Sequence, residues 1–120
     1  MAKGYEANKQ HQAEIQALGK ELGRRARFSC EWCGSKEGLG PVDTAPTQEP
    51  EVENLLLLCH RCRALHDGGH EEPNRLRHLE GALWSDEPVV ARTAAQLLRR
   101  LGAPWAEEII EQTEIDLGDR

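Results

Sequence analysis

Aromatic side chains are scarce in this chain of 120 residues, which holds three tryptophans (Trp32, Trp84, Trp105), one tyrosine (Tyr5) and one phenylalanine (Phe28). Leu, Ile, Val and Ala must therefore supply most of the surface that folding removes from water, and at this length the core they build is modest. A bound metal would supplement it. No apolar run reaches the roughly eighteen residues of a membrane span, and the start Met1-Ala-Lys-Gly-Tyr-Glu6 has no apolar leader core behind it. These absences predict no membrane association and a cytoplasmic protein.

Positive charge is also in deficit, with 15 Lys and Arg against 21 Asp and Glu and a formal net charge of −6. Such a molecule repels a polyphosphate at long range, so general nucleic-acid binding is disfavoured. A protein partner, reached through the acidic loop or an exposed helical face, is the other open possibility, and nothing in the sequence identifies it.

Cysteine is sparse but ordered. The chain's four cysteines stand as Cys30-Glu-Trp-Cys33 and Cys59-His-Arg-Cys62, with 25 residues between the pairs. Two C-x-x-C knuckles at such a separation are the sequence form of a tetrathiolate zinc site, each placing two sulfurs on one ion. In a reducing compartment disulfides are disfavoured. The reading is one structural Zn²⁺ on Cys30, Cys33, Cys59 and Cys62, with disulfides, an iron site or C-x-x-C redox chemistry as alternatives. Four thiolates and one Zn²⁺ lower the net charge by a further two units. Arg24, Arg25 and Arg27 before the first knuckle, and Arg61 and Arg63 around the second, are expected to compensate that local charge, with contact to phosphate as the alternative.

Periodicity supplies the scaffold. Ile15, Leu18, Leu22 and Ala26 recur at three and four residues and predict an amphipathic helix over about 7–26, with Gly19 and Gly23 weakening it or marking a close approach. Gly34 after Cys33 suits a positive φ that turns amides toward the sulfurs. Val42–Thr44 should be extended, residues 45–53 a solvated Pro- and Glu-rich connector, and Leu55–Leu58 a short buried strand. The second knuckle should open a helix running to His66 and stopped at Asp67-Gly-Gly69. Leu76, Leu79 and Leu83 form a helical stripe. Ser85 is placed as an N-cap for a helix with Val90, Ala94, Leu97, Leu98 and Leu101 on one face; Gly102 ends it, and Pro104 opens a last helix carrying Trp105 and Ile109. Trp84 and Trp105 are expected in the core, Trp32 against the zinc site, and an acidic tail from Glu114 to Arg120 frayed. The fold class is thus small α+β and mostly helical: an N-terminal helix (1–27), a treble-clef-like zinc-knuckle core (28–70) and a C-terminal helical region (71–120), in one integrated domain.

The segments Cys30-Glu-Trp-Cys33-Gly-Ser, Leu57-Leu-Cys59-His-Arg-Cys62-Arg-Ala, Trp84-Ser-Asp-Glu-Pro-Val-Val90, Leu97-Leu-Arg-Arg-Leu101 and Pro104-Trp-Ala106 resemble the N-terminal zinc-binding domain of PhnA-type proteins, named for an alkylphosphonate-utilisation operon. The resemblance implies a zinc domain and no defined catalytic residue. Nothing here supplies the several carboxylate and histidine ligands of a metal-dependent phosphonate hydrolase. Longer members of that family continue into a small β-barrel module.

A more distant likeness links Val42-Asp43-Thr44-Ala-Pro46 and Glu53-Asn54-Leu55 through Cys62 to zinc-bearing HNH nucleases. There, Asp43 and Asn54 match, but Thr44 stands in place of the base histidine and Arg63 in place of the helical His or Asn, with His66 a turn further on. This alternative, a degenerate nuclease or nucleic-acid-binding module, would gather Asp43, Asn54 and His66 into a second metal site.

Overall fold

The computed structural model describes residues 2–115, with side chains from residue 9 onward. Eight elements and two 3₁₀ segments follow in chain order. They are α1 (Ala2–Ala17), α2 (Gly19–Ala26), β1 (Gly40–Asp43), a 3₁₀ turn Val52–Asn54, β2 (Leu55–Leu58), α3 (His60–His66), a 3₁₀ stretch Pro73–Leu79, α4 (Glu80–Leu83), α5 (Pro88–Arg100) and α6 (Pro104–Thr113). Helix predominates, and β1 and β2 form a two-stranded antiparallel sheet with Gly40 opposite Leu58 and Asp43 opposite Leu55.

The four leucines of β2 explain the architecture. Successive strand residues point to opposite faces. Leu56 and Leu58 enter the main core, while Leu55 joins Ile15 and Leu22 in a smaller cluster against which Leu18 and Leu57 pack. Both faces of this strand are covered, so an unbroken apolar run replaces the usual alternation. One side is closed by the N-terminal helices and the other by the C-terminal ones.

The main core joins Leu56, Leu58 and Leu65 to Leu76, Leu79, Leu83 and the inner face of α5, with Ala106 and Ile110 of α6. On α5, Val89, Val90, Ala91, Ala94, Ala95, Leu97 and Leu98 are all buried. Small alanines alternate with branched residues there and let α4 and α6 approach closely.

Four local expectations are revised. The N-terminal helix is two helices. Leu18 donates to Ile15 O three residues back (3.0 Å), and the four-residue repeat resumes with Leu22 N to Leu18 O at 2.9 Å, so the chain is broken beside Gly19. The Leu76, Leu79, Leu83 stripe lies mostly on 3₁₀ geometry, in which residues three apart eclipse and Leu76 and Leu79 share the core face. Ser85 does not cap α5. Its Oγ accepts from Glu87 N–H (3.0 Å) in a turn, and Glu87 is held extended before Pro88, as steric contact with the proline ring requires. Trp84, expected inside, is 52% exposed, because Leu83 takes the inward position at the end of α4. Trp105 is half-buried with its indole N–H on Pro73 O at 3.0 Å. The predicted tail lies, from residue 116, outside the described residues, as do Tyr5's side-chain contacts.

Candidate metal centre

The first knuckle follows α2 directly. Cys30 N–H donates to Ser35 O (2.7 Å) and Gly34 N–H to Cys30 O (2.9 Å), folding residues 30–35 into a closed turn. Gly34 has φ +85, the left-handed conformation that glycine adopts without a Cβ penalty. A third bond, Glu31 N–H to Leu57 O at 2.8 Å, pins this turn to β2. The strand then delivers Cys59 at its end, and Cys62 follows in the first turn of α3. Sequence and sheet register together thus bring the two knuckles face to face.

The four sulfurs converge. One ligand atom from each of Cys30, Cys33, Cys59 and Cys62 lies within 4.8 Å of every other. Cys33 Sγ and Cys59 Sγ are 3.6 Å apart, and no disulfide joins any of the four. A tetrahedron with Zn–S bonds of about 2.3 Å has edges of about 3.8 Å, so the donor set matches a four-sulfur metal shell in number, chemistry and spacing. Cys30, Cys59 and Cys62 are buried and Cys33 is half-exposed. Among the described residues this is the one group of three or more His, Cys, Asp and Glu side chains gathered so tightly.

Crowding four thiols into one spot polarises their acidities. The thiol of Cys62 donates to Cys30 and lowers Cys30 to about 4, against the opposing effect of burial. Burial raises Cys33 to about 11, and the hydrogen bond to Cys30 raises Cys62 strongly as well. One negative sulfur therefore suppresses ionisation of its neighbours. A divalent cation relieves that conflict by letting all four sulfurs be thiolates.

Residues around the sulfurs hold the knuckles in place. Trp32, between Cys30 and Cys33, is buried, and its indole N–H donates to Thr93 Oγ1 on α5 at 3.2 Å. Thr93 in turn donates to Val89 O at 2.7 Å. The His66 ring lies 6.2 Å from Trp32, centroid to centroid. Arg63, following Cys62, lays its guanidinium across Gly40, where a Cβ would fall 1.8 Å from Nη1. His60 is exposed, as expected for a residue inside a knuckle.

Of the three residues of the alternative metal site, Asp43 has both side-chain oxygens occupied. Asp43 Oδ2 is bonded to His11 Nε2 of α1 at 2.6 Å, and its Oδ1 accepts from Ala45 N–H at 3.0 Å. The backbone carbonyl of Asn54 accepts from both the N–H and the hydroxyl of Thr44. His66 packs on Trp32, and its buried Nδ1 has no hydrogen-bond partner among the described residues. Four residues that hold the structure together, His11, Thr93, Arg25 and Glu31, are not singled out by the sequence. His11 and Thr93 act across 32 and 61 positions, and Arg25 stands in the sequence as one of a basic cluster with Glu31 six residues on.

No helix among the described residues is long and apolar enough to cross a membrane. Comparison of the chain with protein-family models, with curated proteins and with solved structures finds no match.

Proposed function

We propose that this chain is a cytoplasmic zinc-binding protein of the PhnA type, in which one Zn²⁺ on Cys30, Cys33, Cys59 and Cys62 is structural and no catalysis takes place. The observation that carries the reading is the convergence of four sulfurs within 4.8 Å of one another, two from each of two distant segments. Four protein sulfurs complete a zinc shell and leave no position for water or substrate, so the ion serves as a cross-link. The order of knuckle, two-stranded hairpin and helix bearing the second pair supports a treble-clef reading of this core. Among the residues that carry the resemblance, Trp32 is buried with the knuckle cysteines, and Leu97 and Leu98 of α5 are in the same core.

The HNH-like reading is weaker on the same grounds. Asp43, its best match, spends both carboxylate oxygens on His11 and Ala45. Metal analysis of protein purified without added zinc tests the main reading, with one equivalent of zinc expected. A metal-free protein with an intact fold would overturn it. Incubation with plasmid and Mg²⁺, Mn²⁺ or Ni²⁺ tests the absence of catalysis: no nicking is expected, and reproducible cleavage lost in Asp43→Ala would reverse the ranking.

A further inference from the structure

The end of α2 is a hydrogen-bonded helix stop made without glycine, with Arg27 N–H on Arg24 O at 3.1 Å and Phe28 N–H on Gly23 O at 2.8 Å. Arg27 and Phe28 both have left-handed backbones, at φ 57 and φ 54. Glycine is the residue suited to such positions, and bulky side chains rarely adopt them. Phe28 is moreover 58% exposed, although it is the chain's one phenylalanine. Its ring rests on α2 at Gly23, where a Cβ would come within 2.5 Å of a ring carbon. The stop accounts for the turn of the chain and for the ring's contact with Gly23, and it leaves the ring's outer face uncovered.

Cations surround that seat. Lys20 and Arg24, four residues apart, share one face of α2, Arg27 follows at its left-handed end, and all three are exposed. None of them forms an ion pair within 4.0 Å among the described residues, whereas Arg25 points away and is consumed by Glu31. The helix dipole favours positive charge near this end. It does not account for the ring.

We propose that this corner of the molecule binds single-stranded nucleic acid, with Phe28 stacking on a base and Lys20, Arg24 and Arg27 contacting phosphates. The surface asks for a partner that offers a flat π face beside closely spaced negative charges. A single strand has both, a duplex hides its base faces in the stack, and an acidic peptide has charge without the plane. Exposed Glu21 borders the patch, and the net charge of −6 opposes association at long range. Binding is therefore weak and strongly dependent on salt. The inference is independent of the metal reading.

The test is fluorescence anisotropy of the zinc-loaded full chain with labelled twenty-mers of deoxythymidine and of uridine. Three phosphate contacts on a single strand give log K against log salt a slope of about −2, so affinity falls roughly twentyfold between about 50 and 200 mM salt. Phe28→Gly relieves the backbone and leaves the thermal midpoint unchanged or higher, yet weakens binding by roughly 5- to 100-fold at an unchanged salt slope. Arg24→Gln flattens the slope by about 0.7. The proposal is overturned if neither strand binds at the lowest salt, or if Phe28→Gly binds like the wild type. It is equally overturned if polyglutamate or a duplex of the same length competes as well as the single strand.

Discussion

Arg25 and Glu31 form a forked ion pair that ties the first knuckle to its surroundings. Arg25 Nε and Nη2 donate to the two carboxylate oxygens of Glu31 at 2.9 and 2.8 Å, with side-chain exposures of 12% and 6%. The same guanidinium donates to Val52 O at 2.8 Å and Leu55 O at 2.7 Å, and Glu31 accepts from Leu57 N–H at 2.8 Å. One planar group thus links α2, the knuckle, the 3₁₀ turn and β2. Its charge is spent on organising the polypeptide, not on neutralising the sulfurs.

Removing one partner should be costly, because the other is left charged and buried. Arg25→Ala or Glu31→Ala is expected to lower the stability of the zinc-loaded protein by about 3–5 kcal/mol, read from urea denaturation. Arg25→Lys should recover only part, since an ammonium cannot reproduce the fork. An apolar pair at both positions should not restore stability either, because Val52 O, Leu55 O and Leu57 N–H would lose their partners. A near-neutral double variant would show that the pair is incidental.

The four cysteines should be unequal to other knuckle residues. Serine at Cys30, Cys33, Cys59 or Cys62 is expected to abolish stoichiometric zinc and to impair folding, while His60→Ala leaves the metal content at one equivalent. A strong chelator should act locally. Hydrogen exchange is expected to rise first over residues 29–66, where the knuckles, β2 and α3 depend on the cross-link, and later in α5 and α6, whose Ala94, Leu98, Ala106 and Ile110 pack within the C-terminal half. Uniform exchange after chelation would contradict this division.

Zinc binding should release protons, and the direction follows from the shifted thiols. Cys30, lowered to about 4 by Cys62, is already a thiolate near neutrality and gives up nothing there. Cys33, raised to about 11 by burial, and Cys62, raised by its bond to Cys30, must each lose a proton to the solvent. At least two protons should therefore leave per zinc at pH 7, and apparent affinity should fall by about 100-fold for each unit of acidification. Competition with a chromophoric chelator at pH 6, 7 and 8 measures that slope. A pH-independent affinity would mean that the sulfurs are ionised before the metal arrives.

What the sequence discloses and what it hides divide along the range of the interactions. The four clustered cysteines are legible because two short knuckles carry them, and β2 because four successive leucines demand cover on both sides. The inner face of α5 follows from its period. Hidden are the features fixed by distant partners: His11 on Asp43, Trp32 on Thr93, and the fork of Arg25. The break at Leu18 falls beside Gly19, where local propensity weakens the helix, and the direction in which α2 then turns is set by the burial of Leu22 against Leu55. Trp84 was misplaced since hydrophobicity alone assigns a tryptophan to the core, while the short α4 has room on its inward side for Ala82 and Leu83 only.

Thr93 offers a test of how the helical half supports the metal half. It is 5% exposed, and its hydroxyl accepts from Trp32 Nε1 while donating to Val89 O. Thr93→Val keeps the shape but leaves the buried indole N–H without an acceptor, and is expected to cost about 1–3 kcal/mol. Thr93→Ser keeps the oxygen and loses only a methyl group, so its cost should be near 1 kcal/mol. Because Trp32 lies between two ligands, the valine variant should also release zinc to a chelator faster than the serine variant does. Equal release rates in the two would show that the Trp32–Thr93 bond steadies the helices without reaching the sulfurs.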